Sequence, residues 1–293
     1  MRNATPSLLT WLACGASLIA APMVQAQSGD LSLPQKAIAG SAFTIQTSGS
    51  GPAILYLVGT GAALQRQVQL GEPVSFAAGD VDIAGHYVAF LEHGGSTDVG
   101  EFDVLPASQP GRLAFLAKPS RLSVDQHDGI SGAVYIFDAY QNLITRSIPV
   151  TFQLSVPAGS TQSTTVQSHE GTAWTQMNSS SREGAAKFVA TAGNVSSTRV
   201  IQQVPGDPCG LKMNARPDGD KIALATDPIK DCSGNPVPDG TIVTFTEIFN
   251  GEQTTVDVPV KKDIAQAEVQ AHPGARITVA TGVVLGNEIR WGR

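Results

Sequence analysis

The sequence predicts an all-β protein made of tandem antiparallel β-sandwiches behind an N-terminal signal peptide. Short runs rich in Val, Ile, Phe, Tyr and Thr are separated by turn residues, as AILYLV (53–58) and PVTFQLS (149–155) illustrate. Charged residues make up only 15% of the 293 residues. No long stretch after the N-terminus has helical periodicity. Strands without helices between them favour sandwiches.

Residues 1–26 are predicted to be the signal peptide. A positive start precedes an apolar core at 8–24, and small residues mark cleavage between Ala26 and Gln27. An uncleaved anchor and a lipoprotein signal at Cys14 are the alternatives. We therefore expect a secreted or periplasmic protein with no membrane span after cleavage.

The charge balance argues against nucleic acid as a partner. Arg2 is the only charged residue before position 27, so cleavage changes the formal net charge from −6 to −7. Acidic and basic residues are mixed along the chain, and no basic stripe is present to neutralise phosphates.

Cleavage leaves two cysteines, Cys209 and Cys232. Two cysteines in an exported chain usually pair, so we expect a structural disulfide. Their spacing is too wide for a redox motif. In the chain-entropy model such a bridge stabilises the fold by roughly 3 kcal/mol.

Two proline-containing hinges divide the mature chain, DVLPASQPGR (103–112) and QQVPGDPCG (202–210). They predict domains at 27–106, 107–205 and 206–293, each near the size of one sandwich.

The last two segments are predicted to be copies of one module. DAYQNLITRSIPVTF (138–152) aligns without a gap with DCSGNPVPDGTIVTF (231–245), at an offset of 93 (231 − 138). GAAKFVATAG (184–193) aligns with GARITVATG (274–282) at an offset of 90 (274 − 184). Two matches at similar offsets indicate a repeated domain with a small loop deletion.

The first segment is predicted to be a divergent relative of these copies. Asp82, Gly85 and Tyr87 have the spacing of the tyrosine corner of immunoglobulin-like sandwiches. Ala89 stands where an antibody-type domain has its second cysteine, so that disulfide is not expected here.

The repeat resembles bacterial immunoglobulin-like domains of the invasin and intimin type. In that family an Asp at the end of a strand leads into a Gly-Asn-Pro-Val-Pro turn and a Val-Thr-Phe strand. The matching turn residues are Asp231, Gly234, Asn235, Pro236 and Pro238 in the last module, and Asp138 and Asn142 in the middle one. The resemblance implies tandem modules with a structural or adhesion role.

The turn also has a physical reading of its own. Gly234 permits a positive φ, and the two prolines stiffen an extended exit. Asp231 and Asn235 can hydrogen-bond across the turn, which sets the register of the next strand. We expect Val243 and Phe245 of that strand to lie in the core.

Motifs of catalysis or cofactor binding are not found in the sequence, so we expect no enzyme activity, no cofactor and no metal. The five histidines lack metal-ligand spacing. Calcium at the carboxylate pairs Asp80/Asp82 or Asp218/Asp220 is an alternative to simple polar turns.

The sequence therefore predicts a non-catalytic, exported structural or adhesion-type protein that contacts protein or glycan at the cell envelope or surface. The alternative is a carbohydrate- or protein-binding module, with Trp291 and Tyr140 as the ligand platform. Trp174 is interpreted as a core residue between the sheets, with a place in the platform as the other reading. A hydrolase with an unrecognised site is a further alternative.

Overall fold

The computed structural model describes residues 30–157, 159–270 and 272–292. The predicted signal peptide and its cleavage site lie outside these residues. The described chain is all-β, as predicted, and none of it forms a helix long and apolar enough to cross a membrane. It divides into two compact units. The first unit comprises residues 30–35, 44–75 and 87–102; the second comprises 36–43, 76–86 and 103–292.

Eight strands lie within the described residues 30–105. They are β1 (Leu31–Ser32), β2 (Lys36–Ile38), β3 (Phe43–Thr47), β4 (Pro52–Gly59), β5 (Ala62–Gln69), β6 (Val74–Phe76), β7 (Gly85–His93) and β8 (Ser96–Leu105). Within the first unit, β4 pairs antiparallel with β5 and with β7, and β1 pairs with β3. Within the second unit, β2 pairs in parallel with residues 103–105.

The middle sandwich is formed by eight strands of the second unit. They are β9 (Arg112–Lys118), β10 (Arg121–Ser123), β11 (Ile130–Phe137), β12 (Pro149–Ser155), β13 (Thr161–Gln167), β14 (Thr172–Met177), β15 (Gly184–Ala192) and β16 (Val195–Val204). One sheet has the order β14-β11-β9, and the other has the order β10-β16-β15-β12-β13. All pairings are antiparallel except that of the short β10 with β16.

The last sandwich is formed by β17 (Met213–Asp218), β18 (Lys221–Thr226), β19 (Ile242–Phe249), β20 (Glu252–Pro259), β21 (Gln266–Gln270), β22 (Arg276–Thr281) and β23 (Val284–Arg290). Its sheets have the orders β17-β18-β21 and β20-β19-β22-β23. All the described strand pairings of this last sandwich are antiparallel.

Strict alternation of side chains puts the core between the two sheets of each sandwich. In the middle sandwich, Phe115, Phe152 and Phe188 are buried and pack as an aromatic trio, with ring centroids 5.1 to 6.0 Å apart. In the last sandwich, Val243 and Phe245 are fully buried, which confirms their predicted place. Burying one such side chain contributes about 1.5–3 kcal/mol, so these two clusters hold the sheets together.

Candidate functional site: a repeated aspartate–asparagine clip

A buried aspartate follows the third strand of the middle sandwich. Asp138 directly follows β11 and is 1% exposed. One carboxylate oxygen accepts hydrogen bonds from the backbone N–H groups of Tyr140 (2.9 Å) and Asn142 (2.8 Å). The other oxygen accepts from the N–H of Ala107 at 2.9 Å and from the Asn142 side chain at 3.0 Å. The carboxylate therefore closes its own turn and also holds the start of residues 107–111.

The amide of Asn142 extends this network to another loop. Its Nδ2 donates to the carbonyl of Asp82 at 2.7 Å, and its Oδ1 accepts from the N–H of Ala84 at 2.8 Å. These partners are 60 and 58 residues away in the chain. One side chain thus satisfies a donor and an acceptor of the 82–84 backbone, in the manner of a short β-bridge.

The same arrangement recurs in the last sandwich. Asp231 is 5% exposed, and its Oδ1 accepts from the N–H groups of Ser233 (2.9 Å) and Asn235 (2.8 Å). Its Oδ2 accepts from the N–H of Gly206 (2.9 Å) and from Nδ2 of Asn235 (2.9 Å). We call each of these networks, Asp138 with Asn142 and Asp231 with Asn235, an aspartate–asparagine clip.

Asn235 reaches the loop that corresponds to 82–84. Its Nδ2 donates to the carbonyl of Ser181 at 2.9 Å, and its Oδ1 accepts from the N–H of Glu183 at 3.2 Å. Asn235 is 3% exposed, so these bonds are shielded from water. Both clips therefore bind an aspartate-capped turn to a linker and to a preceding loop, 82–84 in the first clip and 181–183 in the second.

The electrostatics of the second clip favour an ionised aspartate. Burial by itself raises the pKa of Asp231, but the hydrogen bond from the Asn235 side chain lowers it. The N–H groups of Gly206, Asn235 and Ser233 lower it further, and the pKa ends below its ordinary value. The folded state thus stabilises the negative charge with four donors and no cation.

The predicted turn residues surround the second clip. Gly234 has a φ of +86°, and a Cβ there would meet nothing within 4 Å, so the glycine serves the backbone angle rather than space. In the middle sandwich Gln141 takes the same left-handed position with a φ of +70°. Pro236 pairs with Lys230 in an isolated bridge, and the carbonyl of Pro238 accepts the N–H of Thr241.

The predicted disulfide is confirmed. Cys209 and Cys232 are joined, with 4.6 Å between their Cα atoms. The N–H of Cys209 donates to the carbonyl of Lys230 at 2.8 Å. The bridge therefore ties the entry of the last sandwich to the turn that carries its clip.

The predicted tyrosine corner remains a prediction. Asp82 contributes its carbonyl to the first clip. Tyr87 is fully buried, and its ring lies so close to Gly59 that a Cβ there would be 2.4 Å from Cε1. Gly85 begins β7, two residues before the first unit resumes at Tyr87.

The predicted ligand platform of Trp291 and Tyr140 remains a prediction, and the two residues have different surroundings. Trp291 is partly buried and packs against the core of the last sandwich. Tyr140 is 42% exposed and lies against Gly40, where a Cβ would come within 2.0 Å of its ring. Trp174 is 66% exposed, so the interpretation of it as a core residue is wrong. Strand alternation turns Ala173 inward and Trp174 to solvent.

Three side chains of the first unit form a group that could hold a metal ion. One ligand atom each from Asp30, His93 and Asp98 lies within 4.8 Å of the others. The Nε2 of His93 is 3.0 Å from a carboxylate oxygen of Asp98 and 3.6 Å from one of Asp30. The spacing of these residues in the sequence does not indicate the group, because the fold brings Asp30 to the β7–β8 hairpin, far along the chain.

The two carboxylate pairs considered for calcium lie in turns. Asp80 accepts the N–H of Ala77 at 2.7 Å, which is an ordinary turn bond. Asp218 is the last residue of β17, opposite Lys221, and Asp220 lies in the turn of the β17–β18 hairpin.

The first unit also carries an open cleft of about 1150 Å³, lined in part by Arg66, Glu92 and His93. A serine hydrolase would need its nucleophilic hydroxyl beside the imidazole. The hydroxyl of Ser96 instead donates to the backbone carbonyl of His93 at 2.9 Å, while the ring contacts Asp98. This geometry does not assemble a serine–histidine pair.

Sequence reasoning identified both clip aspartates and asparagines as turn residues but missed their outside partners. One signal was available. Asp138 and Asn142 persist in a copy that has lost the glycine and both prolines, which indicates a role beyond the turn.

Comparisons with known proteins agree with the fold. No family model and no curated protein matches the sequence. Among solved structures the chain is similar to InvD of Yersinia pseudotuberculosis, at 12% identity and a TM-score of 0.52, covering 88% of this chain and 96% of that one. Invasin, described as a bacterial integrin-binding protein, matches at 12% identity and a TM-score of 0.49, over 90% of this chain and 58% of that one.

A third similarity is to part of a β-glycosidase from Bacteroides vulgatus, with a TM-score of 0.30 and 23% of that chain covered. At these identities the comparisons address the fold alone. The InvD similarity confirms the predicted fold class, tandem immunoglobulin-like β-sandwiches.

Proposed function

We propose that the chain is an exported, non-catalytic, adhesion-type protein that mediates contacts at the cell envelope or cell surface. It would consist of three modules with boundaries near residues 106 and 205, follow a signal peptide, and act in the periplasm or outside the cell. The repeated aspartate–asparagine clip carries this proposal.

A clip of this kind holds segments of the chain together and does not act on a substrate. Each carboxylate spends its hydrogen-bonding capacity on three backbone N–H groups and one asparagine amide, so it has no free acceptor pointing to a substrate. Each asparagine binds the backbone of a preceding loop. A chain of modules fixed to each other in this way can present a binding face at a set distance from its anchor, which is what an adhesion-type protein requires.

Fractionation and capture test the proposal. The full chain, expressed in a Gram-negative host with its signal, is expected in the periplasm or medium, shortened to begin at Gln27. Immobilised exported protein is expected to retain a component of envelope preparations. A cytoplasmic, full-length product would contradict the proposal. Turnover of glycoside or ester substrates that is lost in His93→Ala would also contradict the proposal, because such activity would support the hydrolase alternative.

The clips give a second measurement. Asn142→Ala and Asn235→Ala are expected to increase proteolytic cleavage within 103–112 and 202–210 respectively, because each releases the turn that holds the linker from the preceding loop. Cleavage unchanged in both variants would contradict a mechanical role for the clips.

A further inference from the structure

An apolar row crosses the outer face of the middle sandwich. In the sheet β14-β11-β9, Ala133 lies directly opposite Leu116 on one side and Trp174 on the other. Leu116 is 56% exposed and Trp174 is 66% exposed. Tyr135, two residues along the central strand on the same face, is 41% exposed. The small alanine between two large side chains leaves a shallow, level surface with an indole at its edge.

The exposure of this row follows from strand geometry. Alternate residues of a strand point to opposite faces. The neighbours Phe115, Val134 and Ala173 are buried in the core, at 1%, 0% and 2% exposure. Turning Trp174 inward would require a one-residue register slip that exposes those core residues. The indole is therefore held in solvent by the fold.

The last sandwich shows that the fold does not require this row. Its corresponding sheet, β17-β18-β21, also has alanines in the central strand. Its cross-strand rows read Asn214–Ala225–Gln266 and Arg216–Ala223–Glu268. The same sheet is thus built with polar flanks in one copy and apolar flanks in the other. The apolar row needs an explanation beyond folding, and an exposed apolar patch commonly marks a binding site.

The charges on this face have one sign. Arg112 and Lys118 are exposed and share the outward positions of β9 with Leu116, about 20 Å apart at the ordinary rise of a strand. The other polar side chains at outward positions of the three strands are the neutral Ser131, Thr172 and Gln176. No outward position of these strands carries a carboxylate, in a protein whose net charge is −6.

We propose that this face binds an acidic polysaccharide, with a pyranose ring stacked on Trp174 and uronate-type carboxylates paired with Lys118 and Arg112. This inference names a ligand for the adhesion-type role proposed above and rests on it. An aromatic face offers a broad contact to a flat ring, and Gln176 and Thr172 flank the indole with hydrogen-bonding groups for hydroxyls.

The same features argue against a second copy as the occupant. Two identical faces would bring four cations together without a carboxylate, and like charges placed opposite each other oppose association. The row is also narrow for a protein interface, which usually covers about 800 Å² on each partner.

Binding of the exported chain to polygalacturonate fragments tests the inference, with neutral galactan fragments of equal length as the matched ligand. Polygalacturonate is expected to bind and galactan to bind at least about tenfold more weakly. Trp174→Ala is expected to weaken polygalacturonate binding roughly tenfold, the effect of losing one stacked side chain. Lys118→Gln is expected to weaken it and to reduce its salt dependence.

Leu285→Ala is the control, because Leu285 is an exposed apolar side chain of the last sandwich at 80% exposure. It is expected to bind as the unaltered chain does. Thermal unfolding checks that Trp174→Ala remains folded, and Trp174→Tyr should restore part of the affinity if stacking is the cause.

Four outcomes would overturn the inference. They are no binding of polygalacturonate, equal binding of galactan, unchanged binding in Trp174→Ala, and an envelope protein whose retention depends on Trp174 while polygalacturonate is not bound. Retention of an envelope component in any of these cases leaves the adhesion-type role standing, whereas absence of all retention removes both.

Discussion

We predict that one substitution in the second clip, Asn235→Ala, strongly lowers the free energy of unfolding of the last sandwich. The change removes an amide that donates to Asp231 at 2.9 Å and to the carbonyl of Ser181 at 2.9 Å. It also removes the acceptor for the N–H of Glu183 at 3.2 Å. The turn itself keeps its backbone bonds, so the substitution isolates the contacts between the clip and the 181–183 loop.

The magnitude follows from three buried hydrogen bonds. A typical net contribution is about 0.5–1.5 kcal/mol each, and more where the acceptor is charged. Asn235 and Asp231 are only 3% and 5% exposed, so water does not readily replace the lost partners. We expect a loss of roughly 2–4 kcal/mol in the free energy of unfolding of the last sandwich.

Urea unfolding followed by the fluorescence of Trp291 measures this loss, because Trp291 packs against the core of the last sandwich. The matched control is Asn214→Ala. The Asn214 amide also donates to an aspartate, Asp227, at 2.7 Å, but this pair is exposed. The control is expected to cost less than about 0.5 kcal/mol.

Acid sensitivity gives an independent signature. The pKa of Asp231 lies below its ordinary value of 3.8, so its ionised form stabilises the fold above that pH, and the contribution is lost as pH falls through the folded-state pKa. Removing the amide donor raises the folded-state pKa toward the ordinary value. The difference in the free energy of unfolding between the unaltered chain and Asn235→Ala is therefore expected to decrease below about pH 4.

A loss no greater than that of Asn214→Ala, together with an unchanged difference across the acid range, would refute the reasoning. It would show that the amide contacts are replaced by water at no cost, and the clip would then be a turn motif only.

Three further substitutions are informative. Replacing both bridged cysteines by serine is expected to lower the free energy of unfolding by roughly 3 kcal/mol, since the bridge closes a loop with a sequence separation of 23; unfolding with and without reductant checks this value. Gly59→Ala places a Cβ 2.4 Å from the Tyr87 ring and is expected to cost about 1–3 kcal/mol, measured by the shift in Tm. His272→Ala is expected to cost about 1–3 kcal/mol near neutral pH, because Glu247 is 4% exposed and its Oε1 is 2.8 Å from His272 Nδ1; urea midpoints that match the unaltered chain would contradict this.

The sequence predicted the sandwiches because strands and turns are determined by patterns of residues that lie close together in the chain. The alternation through β19 placed Val243 and Phe245 in the core correctly. The same rule applied to Trp174 gives an outward position, because its neighbours at two residues' distance, Thr172 and Gln176, are polar.

Contacts between distant residues could not be predicted in this way. Asn235 meets residues 52 and 54 positions earlier, and nothing local to either segment encodes the partner. The group of Asp30, His93 and Asp98 likewise depends on how strands align across the first unit. The disulfide was predictable only because the sequence after the predicted signal peptide offers a single pair of cysteines.

Comparing the two copies separates what the turn needs from what the clip needs. Gly234 corresponds to Gln141, which accepts the same left-handed backbone at some cost, and Pro236 corresponds to Leu143, which makes the equivalent isolated bridge to Phe137. The turn therefore forms without its most characteristic residues. Aspartate and asparagine are retained at both sites, where their side chains bind a linker and a preceding loop. The contacts with the linker and the preceding loop therefore constrain this motif more than the turn does, since the turn alone tolerates substitution.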